Sequence, residues 1–595
     1  MKLLRLKITD PKGFRSLQAG FECRFRSEWD LLEEQGFTPF VCAGPNGSGK
    51  SNLLEVLAAI FYHLQCIYLE NLPDSFRYNE EENRNGFKAE SAQPDAFELE
   101  YVLPIQDGSE ICAMGMGGNA RVKVIKQAGE GPKWFLVSGN GDEPLKMTQT
   151  LGRQMLPDYI LGYSSGENEI LSLPFFKMRF VQFDEYWQAL KHQLPYPGRP
   201  ESRLVYLDSG FSQAILLCNL LFQDADALRP FRDDVKIKEL KEFRIIIRRS
   251  IEVSLEVAEH FGKENPALTR DAESGRYRIH LIRLLEADET LQKELRNQQE
   301  NSATRYESFD PVIRRMKRSA TCWYIDEASD TLYLDYWVND YTRQAFGENF
   351  DFEVNHSPIA LFHAFQVLLT LNLFSVSDSL KADLYQSDSQ YVSETVPTLA
   401  SDERIMRFKN FYFTKSDVSK PMLLKNLSDG EHQLVHTMGL CMLFKNTQSL
   451  FLLDEPETHF NPDWRANFVT RLNQSFNGSD GQEMLVTTHT PFLISDSRPE
   501  KVLVFNKDEV TGKVSVRNPD YNTLGASINK ITMATFGKRE TIGGHAQSML
   551  DNLRQRFEQG EDKEKLLVEI NRELGDSVEK ILLIKTILDS MEDKG

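Results

Sequence analysis

The chain opens on an alternation. From Lys2 to Ile8 apolar and charged residues take turns, the period of a half-buried strand. Gly13, Phe14, Arg15 and Ser16 then make a turn, and after a polar stretch to Gln35 the run Phe37–Cys42 reads as a buried strand entering a glycine-rich loop. Asn52 to Leu69 sets Leu53, Val56, Leu57, Ile60 and Leu64 on one helical face. Asn79 to Asp95 is polar and reads as loop; Phe97–Leu103, Arg121–Lys126 and Trp134–Val137 read as short strands. From residue 186 to 400 the texture changes. Helical spacing is expected at Ile237–Phe261 and Tyr277–Asn297, a polar break from Asn297 to Ser308, strands over Cys322–Val338 and a buried helix from Pro358 to Phe374. Strand signals resume near residue 404 and continue to Val504, and residues 546–592 are charged and helical, with no internal repeat and no long heptad run.

At 595 residues the chain exceeds one hydrophobic core; at about 150 residues per domain it should hold several. The net charge of -19 argues against wrapping nucleic acid with the whole surface, but leaves room for a local basic groove. Seven scattered cysteines without a CxxC pair argue against a disulfide framework or a zinc site and for a reducing, cytoplasmic setting. Met1 runs into KLLRLKI without the apolar core of a signal peptide, and no apolar run reaches the ~18 residues of a membrane span, so no fused transport channel is expected.

The sharpest chemistry is Gly44-Pro45-Asn46-Gly47-Ser48-Gly49-Lys50-Ser51, which fits GxxxxGK[ST] at every fixed position. Glycines let backbone N–H groups turn inward around phosphate oxygens, and the following helix, with Asn52 in its first turn, presents its positive end to the anion. Lys50 would reach the β and γ phosphates and the Ser51 hydroxyl would hold Mg²⁺. The apolar run Leu450–Leu453 ends in Asp454 and Glu455: the first carboxylate suits a Mg²⁺ shell, the second the polarisation of an attacking water. A buried strand ending at an acidic turn is the plain alternative.

Leu427-Ser428-Asp429-Gly430-Glu431 precedes a helical run; on its own it reads as a helix N-terminus capped by Ser428 or Asp429. Placed before the carboxylate strand, it resembles the ABC signature LSGGQ, with Asp429 and Glu431 as departures. Met484–Thr488 then leads to His489, which looks like the ABC switch histidine. The order of loop, signature, carboxylates and histidine resembles an ABC-type ATPase head over residues 1–185 and 400–510. The resemblance implies Mg²⁺-dependent hydrolysis of ATP to ADP and phosphate. It also implies a homodimer or higher homo-oligomer in which Lys50, Ser51, Asp454, Glu455 and His489 of one chain meet Ser428 and Gly430 of another across ATP.

The opening strand with Gly13–Ser16 resembles the SMC, RecF and OLD branch. Asp454–Pro462 and Thr488–Leu493 resemble the corresponding runs of OLD-like ATPases. Tyr163–Glu169 and Glu540–Ala546 are similar to restriction-system-associated ATPases, relatives of PtuA of Septu-type and retron-linked phage defence. Long SMC arms are not expected from an insert of mixed texture. No TOPRIM nuclease is expected either, because the residues after Val510 lack a DxD pair following a strand. Ser164–Glu167 mimics a signature far upstream of the carboxylates and falls instead where ABC heads place the Q-loop; Gln154 and Gln182 are the glutamine candidates, and each also reads as a surface or packing residue.

Arg244, Arg248 and Arg249, on one expected helical face, and Arg314, Arg315, Lys317 and Arg318 read either as a nucleic-acid groove or as solvated faces; serial Arg→Glu changes that left nucleic-acid retention unchanged would remove the groove. The expected architecture is thus an α/β P-loop ABC-type head split between 1–185 and 401–510, a mixed and mainly helical insert over 186–400 and a helical region over 511–595. The expected role is a switch that controls an HNH-type partner nuclease in anti-phage defence. The alternatives are a RecF-like repair ATPase that binds DNA, and a scaffold cemented by ATP.

Overall fold

The computed structural model describes residues 1–595 apart from 34–35, 70–71, 106–111, 113–117, 139–140, 167, 192–201, 262–264, 266, 272–273, 286–311, 351–357, 388–395, 398, 477–480, 538–541 and 593–595. At its centre is a seven-stranded sheet. From one edge it runs Val514–Arg517, Val502–Lys507, Phe40–Ala43, Glu483–Thr487, Ser449–Asp454, Tyr159–Ser164 and Leu204–Tyr206. All neighbours are parallel except the first pair.

The run Ser449–Asp454 is buried at every position because both sheet faces are covered. Leu450 and Leu452 enter one core; Phe451 and Leu453 enter the other. The first core also takes the helix Lys50–Ile67, wedged between the parallel sheet and a six-stranded antiparallel sheet that begins with Lys2–Ile8. That wedge explains why the helix is buried nearly all round, through Leu53, Leu54, Val56, Leu57, Ala58, Ile60, Phe61 and Leu64, rather than along one face. The second core packs helices Ser209–Phe222, Ile359–Thr370 and Asp429–Leu443 on the opposite side. The result is an α/β head: a mostly parallel sheet with helices on both faces and a glycine-rich loop leading into the helix Lys50–Ile67.

Several expectations are corrected. Ile237–Arg248 is a strand, not a helix, followed by the strand Ser250–Val253 and only a short helix, Leu255–Phe261. Tyr277–His280 is also a strand and leads to the short helix Leu281–Leu285; the rest of that expected helix and the polar break to Ser308 lie outside the described residues. Ile237–Arg248 is the middle strand of an antiparallel sheet ordered Cys322–Asp326, Thr331–Trp337, Ile237–Arg248, Met406–Lys415, Val418–Leu423. The boundaries drawn at 186 and 400 therefore cut through packed units: Leu204–Tyr206 belongs to the central sheet, and Met406–Lys415 pairs along the length of Ile237–Arg248. Likewise Val514–Arg517 is an edge strand of the central sheet rather than part of a helical region. Composition marked a change of texture, whereas strand pairing joins segments distant in sequence.

The chain ends in helices Gly544–Glu558, Lys563–Glu573 and Val578–Glu592, which share a small core of their own around Leu550, Leu566, Ile570 and Ile587. Among the described residues no single helix is long and apolar enough to cross a membrane.

Candidate functional site

Parallel strands in register deliver their C-terminal ends to one line. Cys42 lies beside Thr487, Thr487 beside Asp454, and Asp454 beside Ser164. Each strand's next residue therefore emerges on the same edge, where open α/β sheets place their ligands. Phe40–Ala43 emerges into residues 44–49 and the helix that begins at Lys50. Gly44 has φ +144°, and a Cβ there would stand 2.4 Å from the Phe505 carbonyl oxygen; Gly47 and Gly49 also have positive φ. Only glycine lets the loop take this path. Lys50 is buried, and its Nζ donates to the Gly44 and Pro45 carbonyls at 3.0 and 3.1 Å. Burial lowers its pKa, against the opposing pull of Glu455 and Asp454.

Asp454 is the hub of the edge. Its Oδ1 accepts from Ser51 Oγ at 2.8 Å and from Thr487 Oγ1 at 2.6 Å; its Oδ2 accepts from Asn168 Nδ2 at 3.0 Å. Asn168 also donates to Glu55 at 3.2 Å, and the other Glu55 oxygen accepts from Asn52 Nδ2 at 2.9 Å. Asn52 Oδ1 in turn accepts from Ser16 Oγ at 2.5 Å, which ties the Gly13–Ser16 turn to the first turn of the loop helix. Burial raises the Glu55 pKa, while the two amides stabilise its charge.

Glu455 follows with φ +50°, a left-handed conformation rare outside glycine and costly at about 1–3 kcal/mol. Its N–H donates to Thr487 Oγ1 at 3.0 Å, so one threonine holds both carboxylate residues. Its Oε1 lies 2.8 Å from His489 Nε2. That hydrogen bond, with Lys50 nearby, holds the Glu455 carboxyl below its ordinary range and so ionised at neutral pH.

Ser428 caps the helix Asp429–Leu443, deciding the cap against Asp429. It forms a capping box with Glu431, whose other oxygen lies 2.7 Å from Lys415 Nζ. A Cβ on Gly430 would sit 2.7 Å from the His459 carbonyl oxygen. No hydrogen bond among the described residues joins Ser428 or Gly430 to residues 44–51.

The structure thus gathers residues 44–52, Asp454, Glu455 and His489 on one edge, and among the described residues Ser428 and Gly430 make no hydrogen bond to the glycine loop. It adds Asn168, Thr487 and Glu55. Asn168 stands beyond the end of Tyr159–Ser164, the place expected of a Q-loop residue. Gln154 precedes that strand at the opposite end of the sheet, and Gln182 is buried inside the helix Glu169–Lys191. The available signal is the polar run after a buried strand that pairs with Ser449–Asp454, where an asparagine rather than a glutamine makes the contact. Thr487 lies inside an expected strand, and its role depends on register. The basic cluster is also revised: Arg244 and Arg248 lie on a strand, Arg244 is bridged to Asp335, Arg249 is bridged to Glu327 and Asp330, and Arg315 is buried over the Phe350 ring.

The donor set suits Mg²⁺. One carboxylate and one hydroxyl, both hard oxygen donors, stand 2.8 Å apart beside the glycine loop; among the described residues no group of three or more His, Cys, Asp or Glu is placed to hold a metal ion.

Residues 236–495 match the family model described as "AAA domain, putative AbiEii toxin, Type IV TA system". The matched segment contains Ser428, Asp454, Glu455 and His489 but begins after the glycine loop. No curated protein matches. Solved structures similar to the chain include an SMC head bound to the C-terminal winged-helix domain of ScpA (10% identity, 87% of this chain and 98% of that one, TM-score 0.31). A Pyrococcus furiosus SMC head with an extended coiled coil, bound to the C-terminal domain of ScpA, is 12% identical (87% and 96%, TM-score 0.30). The SMC head domain from Thermotoga maritima is 13% identical (88% and 100%, TM-score 0.28).

Proposed function

We propose that this chain is an ATP hydrolase that closes as a head-to-tail homodimer and uses closure to control a partner. The observation that carries the reading is the convergence on Asp454 of Ser51 from the glycine-loop helix, Thr487 from the next strand and Asn168, with the Glu455–His489 pair immediately beside it. Backbone N–H groups of residues 44–51 and Lys50 hold the β and γ phosphates. Ser51 and Asp454 hold Mg²⁺, which supplies positive charge to the phosphate oxygens when bound. Glu455, ionised and fixed by Thr487 and His489, accepts a hydrogen bond from the attacking water and orients it. His489 can share its proton between Glu455 and a γ-phosphate oxygen. Ser428, exposed, and Gly430, half-buried, stand at a helix N-terminus and serve the phosphate of a second copy. Phosphoryl transfer asks for little beyond such positioning and charge.

Replacing Glu455 with Gln should leave ATP binding intact, slow turnover by about 100-fold or more, and trap the closed dimer. Turnover at the wild-type rate would refute Glu455 as the water-orienting group.

For the partner, the motif resemblance to OLD-like and PtuA-type ATPases supports an HNH-type nuclease held in check in anti-phage defence. Affinity purification of the Glu455→Gln chain from its host should recover such a protein at near-stoichiometric amounts. Recovery of only DNA or recombination proteins would make the RecF-like repair reading the better account, and a wild-type chain that binds ATP without turnover would make it a scaffold.

A further inference from the structure

The antiparallel sheet around Ile237–Arg248 has two unlike faces. Leu332, Leu334 and Tyr336 turn inward to the main core, and the alternate residues Tyr333, Asp335 and Trp337 turn outward. Register carries that outward face across the neighbours: Tyr324 lies opposite Tyr333, Arg244 opposite Asp335, and Arg407 and Lys409 opposite Ile246 and Arg244.

This outward face is aromatic and carries Arg244, Arg248, Arg407 and Lys409 together with two carboxylates, Asp335 opposite Arg244 and Glu242 opposite Trp337. The rings of Tyr324 and Tyr333 stack at 4.9 Å with planes 8° apart. The Arg244 guanidinium lies 5.9 and 5.3 Å from their centroids and is pinned by two bonds to Asp335, at 2.5 and 2.8 Å. Tyr324 remains 43% and Trp337 57% exposed, and neither packs against the core. Folding gains little from leaving such large rings in water. Arg248, Arg407 and Lys409 lie on the same face, at the positions paired with Thr331, Ile246 and Arg244. In a chain of net charge -19, these cations gathered around flat rings mark a local exception.

We infer that this sheet face binds single-stranded nucleic acid, with bases stacking on Tyr324 and Trp337 and phosphates meeting Arg248, Arg407 and Lys409. Open sheet faces with stacked rings and flanking cations suit unpaired bases, whose π faces are free; a duplex hides them. A carboxylate-pinned guanidinium beside the ring pair adds a flat surface at little entropic cost. The strand carrying Arg407 and Lys409 ends at Lys415, which bonds the Glu431 of the Ser428 capping box, so the face and the signature helix share one element. Binding itself does not rest on the ATPase reading.

The test is fluorescence anisotropy on the full chain with labelled oligothymidylate and oligouridylate of about 15 nucleotides and a duplex of the same length. Both the wild type and the Lys50→Ala chain are measured, so failure of ATP chemistry leaves the result readable. A single strand, of either sugar, should bind more tightly than the duplex. Tyr324→Ala with Trp337→Ala should weaken it by about tenfold or more, while Tyr324→Phe keeps affinity within about twofold. Lys409→Glu and Arg248→Glu should each lower the salt slope by about 0.7 or more. Unchanged melting of the purified chains shows that they remain folded. The proposal is overturned if the folded wild type shows no saturable single-strand binding, if the double alanine variant binds as well as wild type, or if that variant alters only self-association in light scattering, which would make the face a protein interface.

Discussion

Glu457 sits two residues beyond the catalytic candidate Glu455 and is buried where Glu455 is not. One of its oxygens accepts from Thr488 Oγ1, the residue before His489; among the described residues the other has no hydrogen-bond partner. Burial pushes its pKa up from 4.5 to about 7. The unfolded chain releases this proton near 4.5, while the folded chain holds it to about 7, so between those values the folded state binds more protons and stability falls as pH rises. The loss amounts to about 3 kcal/mol, complete above neutrality and absent below pH 4.5. Glu457→Gln keeps an acceptor for Thr488 and removes the titration. Its urea midpoint should fall less than that of wild type between pH 5 and pH 8; parallel curves for the two would show that Glu457 carries no such penalty. At the same scale, Gly44→Ala must force a Cβ against the Phe505 carbonyl at 2.4 Å and φ +144°. The expected outcome is loss of nucleotide binding in equilibrium dialysis, or failure to fold, since the obstacle is backbone.

The helix Asp429–Leu443 shows what an element can hide. Ser428 is a working N-cap, so Ser428→Ala should cost about 1 kcal/mol in chemical denaturation whatever else the residue does. Ser428→Asp separates the roles: aspartate caps as well as serine, but puts negative charge where the proposed second chain's phosphate would sit. Stability close to wild type with turnover lost supports phosphate contact; wild-type turnover confines Ser428 to capping. This contrast also marks what was legible in the sequence. The glycine loop, Asp454–Glu455 and His489 announce themselves because their chemistry depends on local spacing, and the structure brings them to one edge. Asn168 and Thr487 reach that edge only through the pairing of Tyr159–Ser164, Ser449–Asp454 and Glu483–Thr487, which no local pattern encodes. Ile237–Arg248 imitates a helix for a related reason. Register shifts between Ile237/Glu239, Leu240/Glu242 and Glu242/Arg244 break the two-residue alternation, and the consecutive buried Ile245, Ile246 and Ile247 mask what remains. Spacing of three between Ile237, Leu240 and Phe243 then imitates a helix.

For the whole molecule, the arrangement predicts that one chain is half a machine. Lys50 lies on the sheet edge, and Ser428 caps a helix with no hydrogen bond to the chain's own glycine loop. If each catalytic unit takes its loop from one copy and its signature from another, Lys50→Ala and Ser428→Asp must each abolish turnover alone, because every site in either homodimer lacks one half. In a mixed dimer one site carries both defects, and the other carries neither: its loop comes from the Ser428→Asp chain and its signature from the Lys50→Ala chain. Equal mixing gives mixed dimers about half the time, each with one intact site of two, so the mixture should regain about a quarter of the wild-type ATPase rate. Recovery near that level, growing with protein concentration as dimers form, requires sites shared between chains. A mixture as inactive as its parts, with exchange of subunits verified, would place both residues in the service of a single chain and dissolve the head-to-tail dimer.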